Sequence, residues 1–423
     1  AADQSSDKPD LLYNAACGFA LGGNTDQAWS ALERAIDAGF EDLPGLVQER
    51  DLESLHEDAR WRTLLDRIER SVSVRRDFWD SPAMRTPFAE NLSDDEKIAG
   101  LSKLWAEAKF NFVHFDKVPT LNWDRVYMEH LPKVRATTST YEYYRVLIAM
   151  YSLLRDGHTS VFLPNELANE DSARPLVETM LVEGKVMIVA ASGQTAASGL
   201  TPGLEIIEVD GLPVMEHARR NVMPFQSAST PQGLDCRVYG QALLAGAEGK
   251  PVNLLLRDAT GNIVMLNVPR VAGAEYLRTF RRKPMSFSNL PGNVAYVALN
   301  SFGDSKTADE FEAVFPQIAK SDALVLDLRE NDGGKSDVGY RILAVLTDKK
   351  FLAAKWETRD YRPAFRAWGR REARFTAPSS EVPPNGEMHF AKPVVVLTSP
   401  RTYSAAEDFV AAFRSIRRGR IIG

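Results

Sequence analysis

Apolar residues recur at helical spacing through the first seventy positions, interrupted by two glycine-containing turns. The apolar positions on either side of the turn Gly22-Gly23-Asn24 are Tyr13, Ala16, Ala20, Ala28, Leu32 and Ala35. This spacing predicts a helical hairpin. Gly39 follows the second helix, where a left-handed C-terminal cap is common, and a further helix is expected to run to about Ile68.

A second helical block is predicted over residues 85–170. Ser93 and Glu96 have the spacing of a capping box, and so do Ser139 and Glu142. Each pair precedes an apolar stripe, formed by Ile98, Leu101, Trp105, Ala108 and Phe112 in the first helix and by Leu147, Met150 and Leu154 in the second. The second helix is expected to stop at the turn 156–158.

From Leu176 the pattern changes to short β-rich runs separated by turns. The turns fall at 183–184, 199–203, 210–211, 248–249 and 258–261. They predict a compact β-rich domain at about 174–272. The run 199–211, GLTPGLEIIEVDG, resembles the signature of PDZ domains in proteases, with a loop, a strand and a tight Asp-Gly hairpin.

The last third of the chain, residues 285–423, alternates strands and helices. Strands are predicted at 294–299, 323–328 and 394–397, and helices at 308–320, 337–346 and 404–414. This alternation predicts a multidomain α/β protein whose last domain has a mainly parallel sheet with right-handed crossovers. Ligands bind at the carboxyl ends of the strands in such sheets, so the chemistry is expected in the loops that follow strands.

Length and composition limit the functional classes. At 423 residues the chain exceeds one core of roughly 250–300 residues, so about three units are expected. No apolar run approaches the ~18–20 residues of a membrane span. The net charge of −6 gives nucleic acid no general electrostatic reason to bind.

Cysteine usage and the N-terminus add two expectations. Cys17 and Cys236 are far apart and lack metal-ligand spacing, so we predict no disulfide framework, metal site or cofactor. The polar opening begins with Ala1 rather than Met. This favours an exported protein, periplasmic or secreted, whose export peptide has been removed, with a trimmed chain as the alternative.

Two loops follow predicted strands, and the first spans 327–334 with the sequence DLRENDGG. Gly333 and Gly334 allow backbone N–H groups to approach a ligand closely, and the next helix adds a positive dipole at its start. Both features suit an oxyanion. A plain strand-to-helix turn explains the same residues equally well.

The second loop, residues 398–407, contains Ser404. Together with Glu407 it forms a capping-box pattern before an apolar helix, which by itself explains the serine. Ser404 also follows a buried strand and precedes a helix, as the nucleophiles of α/β hydrolases do. In that role, the N–H of Ala405 would donate to the oxyanion.

A serine nucleophile needs an adjacent base, which is usually a histidine. The six histidines are His56, His114, His130, His158, His217 and His389. His158 differs from the others because it follows Asp156 and Gly157 in a bend directly after a helix. Spacing alone leaves two interpretations of His158 open, as the base for Ser404 or as a surface or packing residue.

Four motifs occur in the order found in the tail-specific, C-terminal-processing serine peptidases. They are DGHT at 156–159, the PDZ-type run at 199–211, DLRENDGG at 327–334 and TYSAAE at 402–407. The chain resembles this family over roughly residues 85–423. The resemblance implies a catalytic domain similar to the ClpP and crotonase folds and a PDZ domain that presents substrate. It also implies an endopeptidase of unfolded or C-terminally presented polypeptides.

The family has two catalytic versions, a Ser/Lys dyad and a tricorn-like Ser/His arrangement completed by a downstream Glu. The resemblance to the second version implies Ser404 as the acylated nucleophile and His158 as the general base. It implies that Gly333 or Gly334 donates to the oxyanion together with Ala405.

Two departures from the family pattern concern the group that orients the histidine. Gly157 stands where the tricorn protease has an orienting serine, and the sequence ends at 420–423, ahead of the family's downstream Lys or Glu. We expect the third catalytic member to lie beyond Gly423, to be absent, or to be Asp156 or Glu407. Without that member, catalysis is expected to be weak.

Three further interpretations concern the N-terminal helices, a function without catalysis, and the stretch 359–371. Residues 1–72 resemble one tetratricopeptide-type unit, which cannot bury its own face and is expected to dock on other helices, a partner or a second copy; a plain helical appendage is the alternative. A non-catalytic peptide- or lipophile-binding protein on the same scaffold, or a scaffold protein, would also fit. The basic, aromatic stretch 359–371 is either a substrate-facing lid or a solvated loop.

Overall fold

A computed structural model describes residues 9–79, 81 and 85–423. It divides into two compact units, residues 1–87 and 88–423. The first eight positions of the predicted segment 1–72 lie outside the described residues. No helix in the described part of the chain has both the length and the apolar character that crossing a bilayer requires.

The first unit is helical. Its elements are α1 (Pro9–Leu21), α2 (Thr25–Asp37), α3 (Leu43–Gln48), a 3-10 helix (Arg50–Leu55) and α4 (Ala59–Trp79). The predicted hairpin is confirmed by α1 and α2, and Gly39 has the left-handed φ of +99° that favours glycine at a helix end. Helix α4 continues past the predicted end at Ile68, because no glycine or proline interrupts residues 69–79.

The second unit begins with a helical block. Its helices are α5 (Asp94–Asn111), α6 (Trp123–Arg135), α7 (Thr140–Ser152) and α8 (Ala168–Asp171). The predicted capping box at the start of α5 is complete, since Ser93 and Glu96 each accept the other's backbone N–H, at 3.3 and 2.8 Å. At α7 only half of the box forms, because the Glu142 carboxylate accepts from Thr138 instead of Ser139.

An antiparallel sheet follows, as predicted. Its strands are β1 (Val177–Val182), β2 (Lys185–Ala191), β3 (Glu205–Val209), β4 (Leu212–Pro213), β5 (Val252–Arg257) and β6 (Ile263–Val268), in the order β1-β2-β3-β5-β6 with β4 on β3. The turns Glu183-Gly184 and Asp210-Gly211 have positive φ at both positions, which suits tight hairpins.

Short helical segments lie between these strands and after them. They are α9 (Gly193–Ala197), α10 (Val214–His217), α11 (Pro231–Asp235), α12 (Gly273–Thr279), a 3-10 turn (Met223–Phe225) and two π-helical segments (Ala218–Val222 and Cys236–Ala242). The region predicted as β-rich is therefore helical between β4 and β5.

The remaining elements, from residue 285 onward, alternate strands and helices. They are β7 (Met285–Leu290), β8 (Val294–Leu299), α13 (Lys306–Ile318), β9 (Ala323–Asp327), α14 (Ser336–Ala344), β10 (Phe351–Leu352), β11 (Glu357–Asp360), α15 (Pro363–Ala367), β12 (Ala373–Thr376), β13 (Glu381–Val382), β14 (Val394–Leu397), α16 (Ala405–Ser415) and β15 (Arg420–Ile422). The main sheet has the order β15-β14-β9-β8-β7. It is parallel except for β7, which pairs antiparallel with β8, so the predicted mainly parallel sheet is confirmed.

The register of the central strands determines where the candidate loops meet. Leu397, the last residue of β14, pairs with Asp327, the last residue of β9. The loops 328–335 and 398–404 therefore leave the sheet side by side at its carboxyl edge. Phenylalanines from the loop after β8 and from α13 and α16 pack beneath this edge, and Phe302, Phe311 and Phe409 are fully buried.

The stretch interpreted as a lid or a solvated loop is an ordered excursion between α14 and β14. Strands β11 and β12 pair as a hairpin around α15. Arg374 forms a 3.0 Å ion pair with Asp116, and Arg359 donates to the carbonyl of Lys109, so the hairpin lies against the helical block. The segment is therefore anchored at its strands, while residues 361–371 between them are mostly exposed to solvent, as in the solvated-loop interpretation.

Candidate active site

Ser404 lies on a strained turn between β14 and α16. Its backbone angles are φ 56° and ψ −124°, a region that residues other than glycine rarely occupy. Such strain persists only where the surrounding structure holds it, and it concentrates at functional sites. The turn is held by the neighbouring loop, because Thr402 Oγ1 donates to the Leu328 carbonyl at 2.8 Å and the Tyr403 N–H donates to the Asn331 carbonyl at 3.0 Å.

The helix start explains only part of the role of Ser404. The Glu407 carboxylate accepts the Ser404 backbone N–H at 2.9 Å, and the predicted capping box of Ser404 and Glu407 is present. The N–H of Glu407 also donates to the Ser404 carbonyl at 2.8 Å. In addition, the Ser404 hydroxyl lies 3.2 Å from Nε2 of His158.

His158 reaches this position from a turn that follows α7. Arg155 has a left-handed φ of 51°, and the Asp156 side chain organises the next residues. Its carboxylate accepts the His158 backbone N–H at 2.8 Å and the Thr159 hydroxyl at 3.2 Å. The carboxylate therefore fixes the turn, while the imidazole points to Ser404 across 246 positions of sequence.

Both carboxylates proposed as orienting groups thus bond to backbone N–H groups. Asp156 holds the turn at His158, and Glu407 holds the start of α16. Among the described residues, the polar atom bonded to Nδ1 of His158 is the phenol oxygen of Tyr403, at 3.0 Å. The two rings are stacked, with centroids 4.9 Å apart and planes 11° apart.

Sequence reasoning missed Tyr403. One signal was present, the absence of a side chain at Gly157: a Cβ atom there would lie 2.0 Å from the Tyr403 phenol oxygen. Arg237 was missed as well. Its Nη2 donates to the Gly157 carbonyl at 3.0 Å, and its guanidinium lies 5.3 Å from the Tyr403 ring centroid.

The paired glycines, Gly333 and Gly334, pack directly against the loop 398–404, which carries Ser404 and is called the serine loop below. Gly333 has φ 103°, and a Cβ there would lie 2.7 Å from Ser404 Cβ and 2.8 Å from the Tyr403 carbonyl oxygen. Gly334 has φ 131°, and a Cβ there would lie 2.3 Å from the Phe302 carbonyl carbon. Both positions therefore exclude any side chain.

The three N–H groups predicted to hold an oxyanion differ in their hydrogen bonding. The Gly333 N–H donates at 2.9 Å to the side-chain oxygen of Asn331, a fully buried residue whose Nδ2 in turn donates to Leu299. Within the described chain, the N–H groups of Gly334 and Ala405 have no hydrogen-bond acceptor. Those two groups are available to a ligand, and the one at Gly333 is already engaged.

Comparison with known proteins gives the C-terminal part of the chain a family resemblance. Residues 293–423 match the model of Peptidase family S41. This match and the relatives below support a similarity to the C-terminal-processing peptidases. The S41 match contains Ser404, Gly333, Gly334 and Ala405, whereas His158 lies outside the matched residues.

Two curated relatives match this chain in sequence. Carboxyl-terminal-processing peptidase 2, chloroplastic, of Arabidopsis thaliana is 25% identical over 238 residues, which cover 54% of this chain and 42% of the relative. C-terminal processing peptidase, chloroplastic, of Tetradesmus obliquus is 24% identical over 240 residues, covering 56% and 46%. The matches thus span less than half the length of each relative.

Solved structures show that the fold is shared as well. The structure of mature CPAF complexed with lactacystin superposes with a TM-score of 0.60 at 14% identity, covering 78% of this chain and 84% of that one. The mixed α/β fold therefore extends well beyond the S41 match at 293–423.

A network of ion pairs connects the S41 loops with the antiparallel sheet. Arg401, in the serine loop, lies 2.8 Å from Glu330 and 3.4 Å from Glu178 of β1, and Arg282 bridges the same two carboxylates at 3.3 and 3.1 Å. Burial lowers the pKa of Arg401, but Glu330 and Glu178 outweigh it and the pKa is raised. The four charges thus hold both loops of the site against β1.

Proposed function

We propose that the chain is a serine endopeptidase that hydrolyses unfolded or C-terminally presented polypeptides through an acyl-enzyme on Ser404. The observation that carries the proposal is the 3.2 Å approach of His158 Nε2 to the hydroxyl of a serine held at φ 56°. The strained turn raises the hydroxyl above the start of α16, and the histidine is positioned to remove its proton.

The reaction divides into two steps. Ser404 Oγ attacks the peptide carbonyl while His158 Nε2 accepts the hydroxyl proton, and His158 then gives that proton to the leaving amine. Water hydrolyses the resulting ester with His158 again as the base. In each step the N–H groups of Gly334 and Ala405 stabilise the oxyanion, and each donor of this kind contributes roughly 3–4 kcal/mol to lowering the barrier.

The His158 position also favours the tricorn-like catalytic version over the Ser/Lys version. A third member, wherever it is supplied, would complete the site. The peptide- or lipophile-binding alternative does not account for the strained serine or its contact with the histidine. We therefore do not favour it.

The finer domain assignments belong to the same proposal. Residues 1–72 are tetratricopeptide-like, 85–170 form a helical subdomain, 174–272 are PDZ-like, and 285–423 are the ClpP- and crotonase-like catalytic domain. The exposed Leu11 and Leu21 of α1 support docking of the N-terminal helices on a protein partner or second copy. The net charge of −6 supports a polypeptide rather than a nucleic acid as the substrate.

The compartment is a further part of the proposal. Both curated relatives are chloroplastic by name. A periplasmic or secreted location is the corresponding proposal for this chain.

A fluorophosphonate probe tests the enzyme assignment without knowledge of the substrate. The probe should phosphonylate Ser404 in the native chain, and the adduct should disappear after heat denaturation and in Ser404→Ala. In His158→Gln, labelling should be strongly slowed, because the hydroxyl loses its base. Peptide mapping that finds the adduct on other serines, or finds it equally in denatured chain, would refute the assignment.

The PDZ-like region should bind C-terminal peptides by strand addition. The edge of β1 is covered by Cys236–Ala242, since Thr179 Oγ1 donates to the Tyr239 carbonyl at 2.5 Å. An incoming strand must displace this segment or add to β6, whose Ile263 and Met265 are exposed.

Binding is best measured with the Ser404→Ala chain, which cannot consume the peptide. We expect saturable fluorescence anisotropy at about millimolar peptide or below, and weaker binding of the same peptide amidated at its C-terminus. If the folded chain binds neither peptide, its substrate-presenting role should be dropped.

A further inference from the structure

We infer that the phenol of Tyr403 is the group that orients the imidazole of His158. This inference rests on the proposed function, because it assigns a positioning residue to the proposed base. A histidine that removes a proton through Nε2 must carry its own proton on Nδ1. Nδ1 therefore needs an acceptor, and the Tyr403 oxygen lies 3.0 Å away.

The groups that could compete for this role are occupied. Asp156 accepts from the His158 backbone and the Thr159 hydroxyl, and Glu407 accepts from the Ser404 backbone. Within the described chain, neither carboxylate is hydrogen-bonded to the imidazole. Tyr403 is adjacent to the nucleophile in sequence, so a single turn places the nucleophile and the orienting group on the two nitrogens of one ring.

The site is built around the Tyr403 hydroxyl. Gly157 leaves the space that the phenol oxygen fills, because a Cβ at that position would lie 2.0 Å from it. Arg237 closes the same space from the segment Cys236–Ala242, with a 3.0 Å hydrogen bond to the Gly157 carbonyl and its guanidinium 5.3 Å from the Tyr403 ring. The stacked rings restrict rotation of the imidazole, which a hydrogen bond alone would not do.

The protonation state of the phenol suits this role. Burial raises the pKa of Tyr403, so its hydroxyl keeps its proton at neutral pH. The oxygen of a neutral phenol accepts a hydrogen bond from Nδ1–H and orients the ring, but it offers the imidazolium less stabilisation than a carboxylate would. Tyr403 is therefore a positioning residue whose effect should be smaller than that of the aspartate of a Ser-His-Asp triad.

Tyr403→Phe removes one oxygen and keeps the stacked ring. We expect kcat to fall by about 10- to 100-fold, as for loss of one hydrogen bond to a group that becomes charged in the transition state, with KM unchanged. Tyr127→Phe is the matched control, since it removes a phenol bonded to Ser102 in the helical block and should leave these values unchanged.

Gly157→Ala tests the same contact from the opposite side. The added methyl should displace the phenol and lower kcat in the wild-type background, and it should cost less in the Tyr403→Phe background, where the oxygen it meets is absent. Additive losses in the double variant would overturn the inference. So would a Tyr403→Phe chain with unchanged kcat.

A readout without turnover separates this inference from the proposed function. With histidine labelled at both ring nitrogens, NMR of the Ser404→Ala chain reports which nitrogen of each of the six imidazoles carries the proton, and His158→Gln identifies the signals of interest. Nδ1 of His158 should carry the proton and show the shift of a hydrogen-bonded N–H, and Tyr403→Phe should remove that shift while the other five imidazoles stay unchanged. Unchanged His158 ring signals overturn the inference even if the chain is a peptidase, and a change supports it even if no substrate is cleaved.

Discussion

Ser404→Ala should reduce hydrolysis of an unstructured peptide by roughly 10⁶-fold, and His158→Ala should do nearly the same. The reason is that the two side chains act as one unit, the hydroxyl being a weak nucleophile unless a base removes its proton. The double variant should be no slower than either single variant. Initial rates with one fluorogenic peptide, measured at matched circular dichroism, provide the comparison.

Ser415→Ala is the matched control for the serine. Its hydroxyl bonds within the same helix, to the Ala412 carbonyl at 2.8 Å, and its removal should leave the rate unchanged. A Ser404→Ala chain that retains more than about a tenth of the wild-type rate would contradict the role of Ser404. Additive effects of the two substitutions would contradict the paired action of Ser404 and His158.

The second large effect is expected from Gly333→Ala. A methyl at this position would lie 2.7 Å from Ser404 Cβ, and the backbone φ of 103° is strained for any L side chain. The serine loop must then move, which separates the hydroxyl from His158 and misaligns the Ala405 N–H. We expect kcat/KM to fall by at least about 10²- to 10³-fold, the size seen when an oxyanion donor is lost.

Gly386→Ala is the control for the effect of replacing a glycine by alanine where no neighbouring atom is in the way. A Cβ at Gly386 meets nothing within 4 Å, so both activity and thermal stability should be preserved. Gly333→Ala should also lower the unfolding free energy by about 1–3 kcal/mol, which a thermal melt can detect. If Gly333→Ala retains full activity, the close packing of the two loops does not determine the geometry of the site.

The sequence predicted much of this architecture because local patterns carry it. Buried strands at 294–299, 323–328 and 394–397 alternate with amphipathic helices, and this alternation leads to a parallel sheet. The same reasoning located both candidate loops, since the carboxyl ends of adjacent parallel strands lie at one edge. One capping box formed only in part, because the Glu142 carboxylate accepts the N–H of Thr138 rather than that of Ser139.

The rest depended on contacts between residues distant in sequence. Tyr403 and His158 are 245 positions apart, and no local pattern indicates that a phenol fills the space above Gly157. The engagement of the Gly333 N–H by Asn331 depends on a side-chain rotamer, which periodicity does not specify. The pairing of β11 with β12 was missed because β11 has no alternating apolar pattern, and the pair lies against the helical block through the Arg374–Asp116 ion pair.

The central claim is that Ser404, activated by His158, is acylated by substrate. Its most direct test is acid quenching of the chain during turnover of an activated peptide ester, followed by mass spectrometry. An activated ester acylates quickly, so the acyl-enzyme should accumulate before water releases it. We predict the mass of the acyl group on the peptide containing Ser404, and its absence from the Ser404→Ala and His158→Ala chains. Turnover with no adduct, or with an adduct on another residue, would contradict the claim.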